Sequence, residues 1–247
     1  MKRSAKLKCC IGGMLGWLMI QAPGGKLCAQ VPTSEILKVV KCNDFGINGK
    51  GTNPEWAKTS WHPLTRLDSA GINYSTRFKI LYAAKGIYVL FDGKDNRIST
   101  TFNQDFQDLY NADVFEVFFQ PDTSMPLYLE YEVNALNKEL VLLIPNLSGR
   151  ASGWLPFHYD MKSVQKKVDI VGGKAEPGAS IKSWSAELFF PYQIFDPLLN
   201  VPPVSGTVWH ANFYRLDYDS GSMVKWSWAP IAHSFHEFKK FGSIRFE

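Results

Sequence analysis

The chain has 247 residues, of which 45% are hydrophobic and 20% charged, and its formal net charge is +4. Five of the 27 basic residues precede residue 30, a stretch that contains no acidic residue. The remaining 22 basic and 23 acidic side chains nearly balance, which excludes the strongly basic class of nucleic-acid-binding domains and gives no reason to expect an anionic membrane as partner.

The N-terminal segment has the pattern of a secretory signal peptide. Basic residues precede an apolar run at 9–22, and small residues follow before Ala29. We expect cleavage after Ala29, so that 1–29 is the signal and 30–247 is a secreted or periplasmic domain. No run of the chain reaches the ~18 apolar residues that suggest a membrane span, so no span is predicted.

Short alternating runs separated by turn residues follow along the rest of the chain. Such runs predict about nine β-strands of an antiparallel sandwich. The predicted strands lie at 77–82, 87–91, 114–120, 127–134, 139–144, 184–190, 208–215, 224–228 and 243–246.

The run YNADVFEVFFQ, which begins at Tyr110, is the most informative stretch. Its strand has apolar residues on both faces, which indicates that it lies inside the sandwich. Glu116 stands at its centre, and a buried carboxylate costs free energy unless a donor or a charge compensates it. Glu116 is therefore either a structural carboxylate with its partners or a group that faces a ligand cleft.

Aromatic residues are abundant, and those between the predicted strands are candidates for contact with sugars. Most rings must lie in the core, whereas loop rings can stack on the flat C–H faces of a carbohydrate. The loop candidates are Tyr110, Trp154, Phe157, Tyr159, Phe235 and Phe238.

Eight segments, in this order, resemble family-nine carbohydrate-binding modules. The resemblance extends from about Val39 to Glu247. The segments are TRFKILY, GIYVLF, YNADVFEVFF, YLEYEVN, WSAELFFP, WHANFYR, WSWAP and FGSIRF.

This resemblance implies a β-sandwich of immunoglobulin-like or jelly-roll type whose members clamp a terminal sugar between two aromatic rings. By motif position, the first ring is Tyr110, three residues before Asp113. The second is Phe235, six residues before the Phe-Gly pair that begins at Phe241. The polar group that reads the sugar hydroxyls falls on Glu116.

One position departs from the family pattern. Where the family has an arginine, this chain has Glu132, which as a carboxylate accepts hydrogen bonds but cannot donate them. Arg215 or Lys225 is expected to supply donors instead. The ligand-binding residues predicted from the sequence are thus Tyr110, Glu116, Glu132, Arg215 and Phe235.

The acidic residues leave three interpretations open. In a hairpin whose paired residues have numbers that add up to about 248, Glu116 lies opposite Glu132. Two like charges in that arrangement need a cation or a ligand between them. The two can accept sugar hydroxyls, ligate Ca²⁺, or form the acid pair of a glycoside hydrolase. A structural Ca²⁺ site near Asp92, Asp95 and Asn96 is a further expectation.

Two metal-based alternatives come from other residues. His233 and His236 can ligate zinc, although a third ligand is missing from the pattern. Distant sandwich relatives bind haem through Met and His ligands. The candidates for that role are Met125, Met161, Met223 and His210.

The function that the sequence favours is non-catalytic binding of an oligo- or polysaccharide. Members of the resembled family usually act as appendages of hydrolases, so we expect association with glycan-degrading enzymes and a part in polysaccharide breakdown. A glycoside hydrolase and a haem-binding sandwich domain remain the alternatives.

Overall fold

The structure, a computed structural model, describes residues 36–69, 71–147, 149–151, 153 and 163–247. The expected signal peptide, the loop aromatics Trp154, Phe157 and Tyr159, and Met161 lie outside the described residues. None of the described helices is long and apolar enough to cross a membrane.

Within the described residues the chain forms fourteen strands and four short 3-10 helices. The helices are Pro54–Lys58, Leu109–Asn111, Tyr192–Phe195 and Phe238–Lys240. The strands are β1 (Leu37–Lys41), β2 (His62–Pro63), β3 (Thr65–Arg66), β4 (Thr76–Tyr82), β5 (Gly86–Lys94), β6 (Val114–Gln120), β7 (Leu127–Val133), β8 (Glu139–Leu147), β9 (Arg150–Ala151), β10 (Gln165–Val171), β11 (Ser183–Pro191), β12 (Val208–Asp217), β13 (Val224–Ser227) and β14 (Gly242–Phe246).

The strands form two layers joined through β1, which confirms the predicted all-β, mostly antiparallel sandwich. The first layer runs β10-β11-β5-β4, and the second runs β14-β12-β6-β7-β8-β9. β1 pairs in parallel with β14 through its first half and with β4 through its last two residues. The strand count exceeds the predicted nine because β1, β10 and three two-residue strands are added.

Aromatic side chains fill the space between the layers. Phe78 on β4 stacks on Phe213 of β12 with ring centroids 3.7 Å apart, and Phe115 on β6 lies 3.8 Å from the ring of Trp184 on β11. All four rings are buried. Because side chains alternate along a strand, every second residue of β6 and β12 is thereby turned to the outer face of the second layer.

That outer face is also covered, which explains why β6 is buried on both sides. Loop residues after β13 pack on it and form a separate hydrophobic cluster. The cluster contains Phe118, Tyr128, Ile144, Tyr214 and Phe241, with Phe235 and Phe238 packed against them. The prediction that both faces of β6 are covered is confirmed.

Candidate functional site

A cavity of about 390 Å³ opens on the outer face of the second layer. Its walls come from β6, β7, β8 and β12, from the helix Leu109–Asn111 and from the loop between β13 and β14. Pockets that hold small ligands typically measure about 300–1,000 Å³. Three of the five residues predicted from the sequence line this cavity, namely Tyr110, Glu116 and Phe235.

Tyr110 is presented by the helix Leu109–Asn111. Leu109 is fully buried and anchors this helix, while the Tyr218 hydroxyl donates a hydrogen bond of 2.9 Å to the backbone carbonyl of Tyr110. The Tyr110 side chain remains 42% exposed. A large ring that is exposed yet held by its backbone is suited to stacking on a ligand.

Phe235 is held from beneath by Tyr214. The two rings are nearly parallel, with centroids 4.0 Å apart, and the Tyr214 hydroxyl donates to the Phe235 carbonyl at 2.9 Å. Farther along the loop, the Glu237 carboxylate accepts the backbone N–H groups of Ala232 and His233, each at 2.9 Å. The loop is therefore ordered before any ligand arrives, which reduces the entropy lost on binding.

His236 also lines the cavity. Its Nδ1 shares a hydrogen bond of 2.8 Å with the Tyr128 hydroxyl, and its backbone carbonyl accepts from Asn146 Nδ2 at 2.8 Å. Burial lowers the pKa of His236, which favours a neutral ring near pH 7. The sequence pattern suggests this histidine only as a zinc ligand, because its partners Tyr128 and Asn146 are distant in sequence and come together only in the fold.

Three glutamates meet beneath the rings. Glu116 on β6 pairs directly with Glu132 on β7, which confirms the predicted register, and Glu130 lies two residues before Glu132 on the same face. One carboxylate oxygen from each residue lies within 4.8 Å of the others. Glu116 and Glu130 line the cavity, whereas Glu132 is fully buried behind them. Glu130 is not among the site residues predicted from the sequence. The signal that could have identified it is its position two residues from Glu132, which places both side chains on the same face of β7.

Burial dominates the electrostatics of this glutamate cluster. It raises the pKa of Glu130 to about 7. Burial, with the charge of Glu130, holds the pKa of Glu116 well above its usual range, and burial with the charges of both neighbours does the same for Glu132. Such a cluster either retains protons, in which case its carboxyls donate hydrogen bonds, or binds a cation.

The expectation that Arg215 donates to this cavity is wrong. Arg215 pairs with Phe115 across the β6–β12 ladder, so its side chain lies on the face opposite Glu116. It is fully buried, forms ion pairs with Asp95 and Asp217, and donates to the Lys94 carbonyl. The guanidinium is therefore a structural group between the layers. Lys225 does line the cavity.

The other candidate metal ligands are distributed over separate parts of the domain. Asp92 pairs with Arg77 at 2.8 Å, and Asp95 pairs with Arg215 at 3.0 Å. Met223 lies at the cavity, while Met125 is an exposed residue of the β6–β7 loop. The expectations of a loop Ca²⁺ site and of haem or zinc ligation stay predictions.

A β-sandwich with aromatic rings and polar groups around a ligand-sized cavity on one sheet face defines a ligand-binding domain. A sequence profile of carbohydrate-binding family 9 matches residues 55–246, and the chain belongs to that family. No curated protein matches the chain.

Solved structures share the fold. A candidate carbohydrate-binding protein from Bacteroides uniformis aligns with a TM-score of 0.70 and 19% identity, over 85% of this chain and 98% of its own. A family 9 module from Caldicellulosiruptor kristjanssonii in complex with glucose aligns with a TM-score of 0.61 and 16% identity, over 85% of this chain and 95% of its own. A family 9 module from the same organism in complex with cellotriose aligns with a TM-score of 0.58 and 15% identity, over 85% of this chain and 93% of its own.

Proposed function

We propose that the domain binds carbohydrate, without turnover, in the cavity between Tyr110 and Phe235. The observation that carries the proposal is that two exposed or half-buried rings and the carboxyl groups of Glu116 and Glu130 line one cavity of about 390 Å³. The rings supply apolar faces for the sugar ring, and the carboxyls reach its hydroxyl groups. Membership of a carbohydrate-binding family supports the same conclusion.

The arrangement of the acids favours binding over hydrolysis. In a glycosidase the two carboxyl groups flank the scissile bond, about 5–5.5 Å or 6.5–9.5 Å apart. Glu116 and Glu130 instead project side by side from the adjacent strands β6 and β7 into the same wall of the cavity. An acid and a nucleophile on one wall cannot approach a glycosidic bond from opposite sides.

We further propose that the protein is exported and supports polysaccharide breakdown beside glycan-degrading enzymes. The basic and apolar pattern of residues 1–29 supports export, and the nearly neutral domain that follows suits an uncharged polymer. A binding domain contributes to such a system by keeping an associated enzyme near its substrate.

A glycan array followed by calorimetry tests the proposal. One ring clamp with a few solvent-exposed hydrogen bonds should give a Kd of about 10 μM to 1 mM, which is a binding free energy of about 4–7 kcal/mol. Tyr110→Ala and Phe235→Ala should each abolish measurable binding and leave the Tm within a few degrees. Phe106→Ala, which removes another exposed ring outside the cavity, is the matched control.

Three results would contradict the proposal. If no plant, algal or host glycan on the array binds the domain, carbohydrate is not its ligand. Unfolding of both ring variants would show that the rings belong to the core. Release of reducing sugar from a bound glycan would replace binding by hydrolysis.

A further inference from the structure

Glu116, Glu130 and Glu132 are buried more deeply than the hydroxyl acceptors of an open sugar site need to be. Their exposed fractions are 2%, 4% and 0%. Ionised carboxylates at such depth cost several kcal/mol unless they are paired. Two of the three also face each other directly across the β6–β7 ladder. The cluster therefore requires a compensating positive charge or bound protons.

Within the described part of the chain, no hydrogen-bond donor reaches Glu116 Oε1 or Glu130 Oε2. The nearest histidine nitrogen, His236 Nδ1, lies 3.9 Å from Glu130 Oε2 and already shares its hydrogen bond with the Tyr128 hydroxyl. These unpartnered oxygens belong to carboxyls at the wall of the cavity. One carboxyl oxygen from each of the three glutamates also lies within 4.8 Å of the others, so an ion bound among them would meet several acceptors.

The carboxyl groups of a second acidic cluster in the same domain, Asp95, Asp113 and Asp219, have partners within the protein. Asp95 pairs with Arg215, and Asp113 accepts the backbone N–H of Ser99. Asp219 accepts hydrogen bonds from the Ser99 hydroxyl and from Tyr74. Among the residues that the structure describes, the buried carboxyl oxygens without a hydrogen-bond partner all belong to the glutamate cluster.

We propose that Glu116, Glu130 and Glu132 form a Ca²⁺ site in the wall of the cavity. Oxygens that lie within 4.8 Å of one another all lie within about 2.8 Å of a common point, so small side-chain rotations would bring them to the Ca²⁺–oxygen distance of about 2.3–2.6 Å. Mg²⁺ binds at about 2.0–2.1 Å and usually keeps several waters beside one or two carboxylates, so a buried cluster of three carboxylates suits Ca²⁺ better. An all-oxygen ligand set also disfavours zinc.

The site would leave coordination positions open toward the cavity. Ca²⁺ takes about six to eight oxygen ligands, and three carboxylates supply from three to six. Glu132 closes the site from behind, while Glu116 and Glu130 border the cavity. Sugar hydroxyls can complete the coordination shell, so this use of the ion rests on the proposed function. The ion would then supply the positive charge that the resembled family supplies with an arginine at the position of Glu132.

Calorimetric titration of CaCl₂ into the metal-free domain tests the site directly. We expect one Ca²⁺ per chain, with Mg²⁺ binding at least tenfold more weakly. Glu132→Gln should weaken Ca²⁺ binding at least tenfold, and Glu116→Gln is a second variant should the first not fold. Asp219→Asn, in the other acidic cluster, should retain the wild-type affinity.

The proposal is overturned if CaCl₂ produces neither heat nor a rise in Tm. It is also overturned if Ca²⁺ binding survives both glutamine variants, or is lost in Asp219→Asn alone, since the ion then lies elsewhere.

Sugar titrations with CaCl₂ and with EDTA separate this proposal from the proposed function. We expect the sugar Kd to rise at least tenfold in EDTA. Equal affinity in both buffers would refute the role of the ion in recognition while sugar binding stands. Loss of sugar binding in both buffers, with Ca²⁺ still bound, would refute the proposed function while the Ca²⁺ site stands.

Discussion

Replacing Glu130 by glutamine should make the domain more stable at high pH. The unfolded chain loses the Glu130 proton near the ordinary value of 4.5, whereas burial keeps it in the folded state until a pKa of about 7. Between these values the folded state binds more protons than the unfolded state, so the free energy of unfolding falls as pH rises. The contribution of Glu130 to stability is complete below pH 4.5 and is lost above pH 7.

The size of the effect follows from the shift. Each pKa unit corresponds to about 1.4 kcal/mol, so Glu130 lowers the free energy of unfolding by about 3 kcal/mol between pH 4.5 and pH 8. For a domain of this size, about 2–4 °C of Tm accompany each kcal/mol, which gives about 6–12 °C. Asp95 and Asp113, whose pKa values are raised to about 7 and 8, add a slope of the same sign in both proteins.

Chemical denaturation in EDTA between pH 4.5 and pH 8 measures this contribution. The difference between Glu130→Gln and the wild type should grow with pH by about 3 kcal/mol, in favour of the variant. Glu176→Gln, at an exposed loop position, should stay parallel to the wild type. If the Glu130→Gln curve is parallel as well, the glutamate cluster does not hold the protons assigned to it.

Two further substitutions test the interior. Arg215→Met should lower the free energy of unfolding by about 3–5 kcal/mol, because it leaves Asp95 and Asp217 buried without their cation. Thermal unfolding measures the loss, with Arg97→Met at an exposed position as the control. Equal melting curves for the two variants would contradict the prediction. Glu187→Gln should lower the free energy of unfolding by about 1.5–3 kcal/mol, because this carboxylate accepts hydrogen bonds from Trp56 Nε1–H and from three backbone N–H groups of the loop 48–51. Unchanged amide hydrogen exchange in that loop would contradict the prediction.

The sequence predicts the strands with strong β-propensity correctly. The predicted bounds of β6, a run of mostly apolar residues around Glu116, are those of the structure. The Glu116–Glu132 pairing follows from this run and the alternating strand β7, which a short loop separates. β10 was missed because four of its seven residues are charged or amide-bearing and it lies at the sheet edge, where apolar alternation is not required.

The candidate site could be predicted only where local pattern decides the position. Tyr110 and Phe235 were found because they occupy fixed offsets from recognisable motifs, and both line the cavity. Arg215 was assigned to the wrong side, although alternation along β12 places it with Phe213. Its partner Asp95 lies 120 residues away in sequence, and only the tertiary packing of the two layers brings them together.

The proposed function requires a sugar ring to lie between Tyr110 and Phe235. A crystal structure of the domain with the tightest-binding oligosaccharide from the array would show its position. We expect a sugar ring stacked between these two side chains, with a hydroxyl group directed toward the carboxyls of Glu116 and Glu130. A sugar bound instead in the neighbouring cavity, beside Lys239 and clear of both rings, would contradict it.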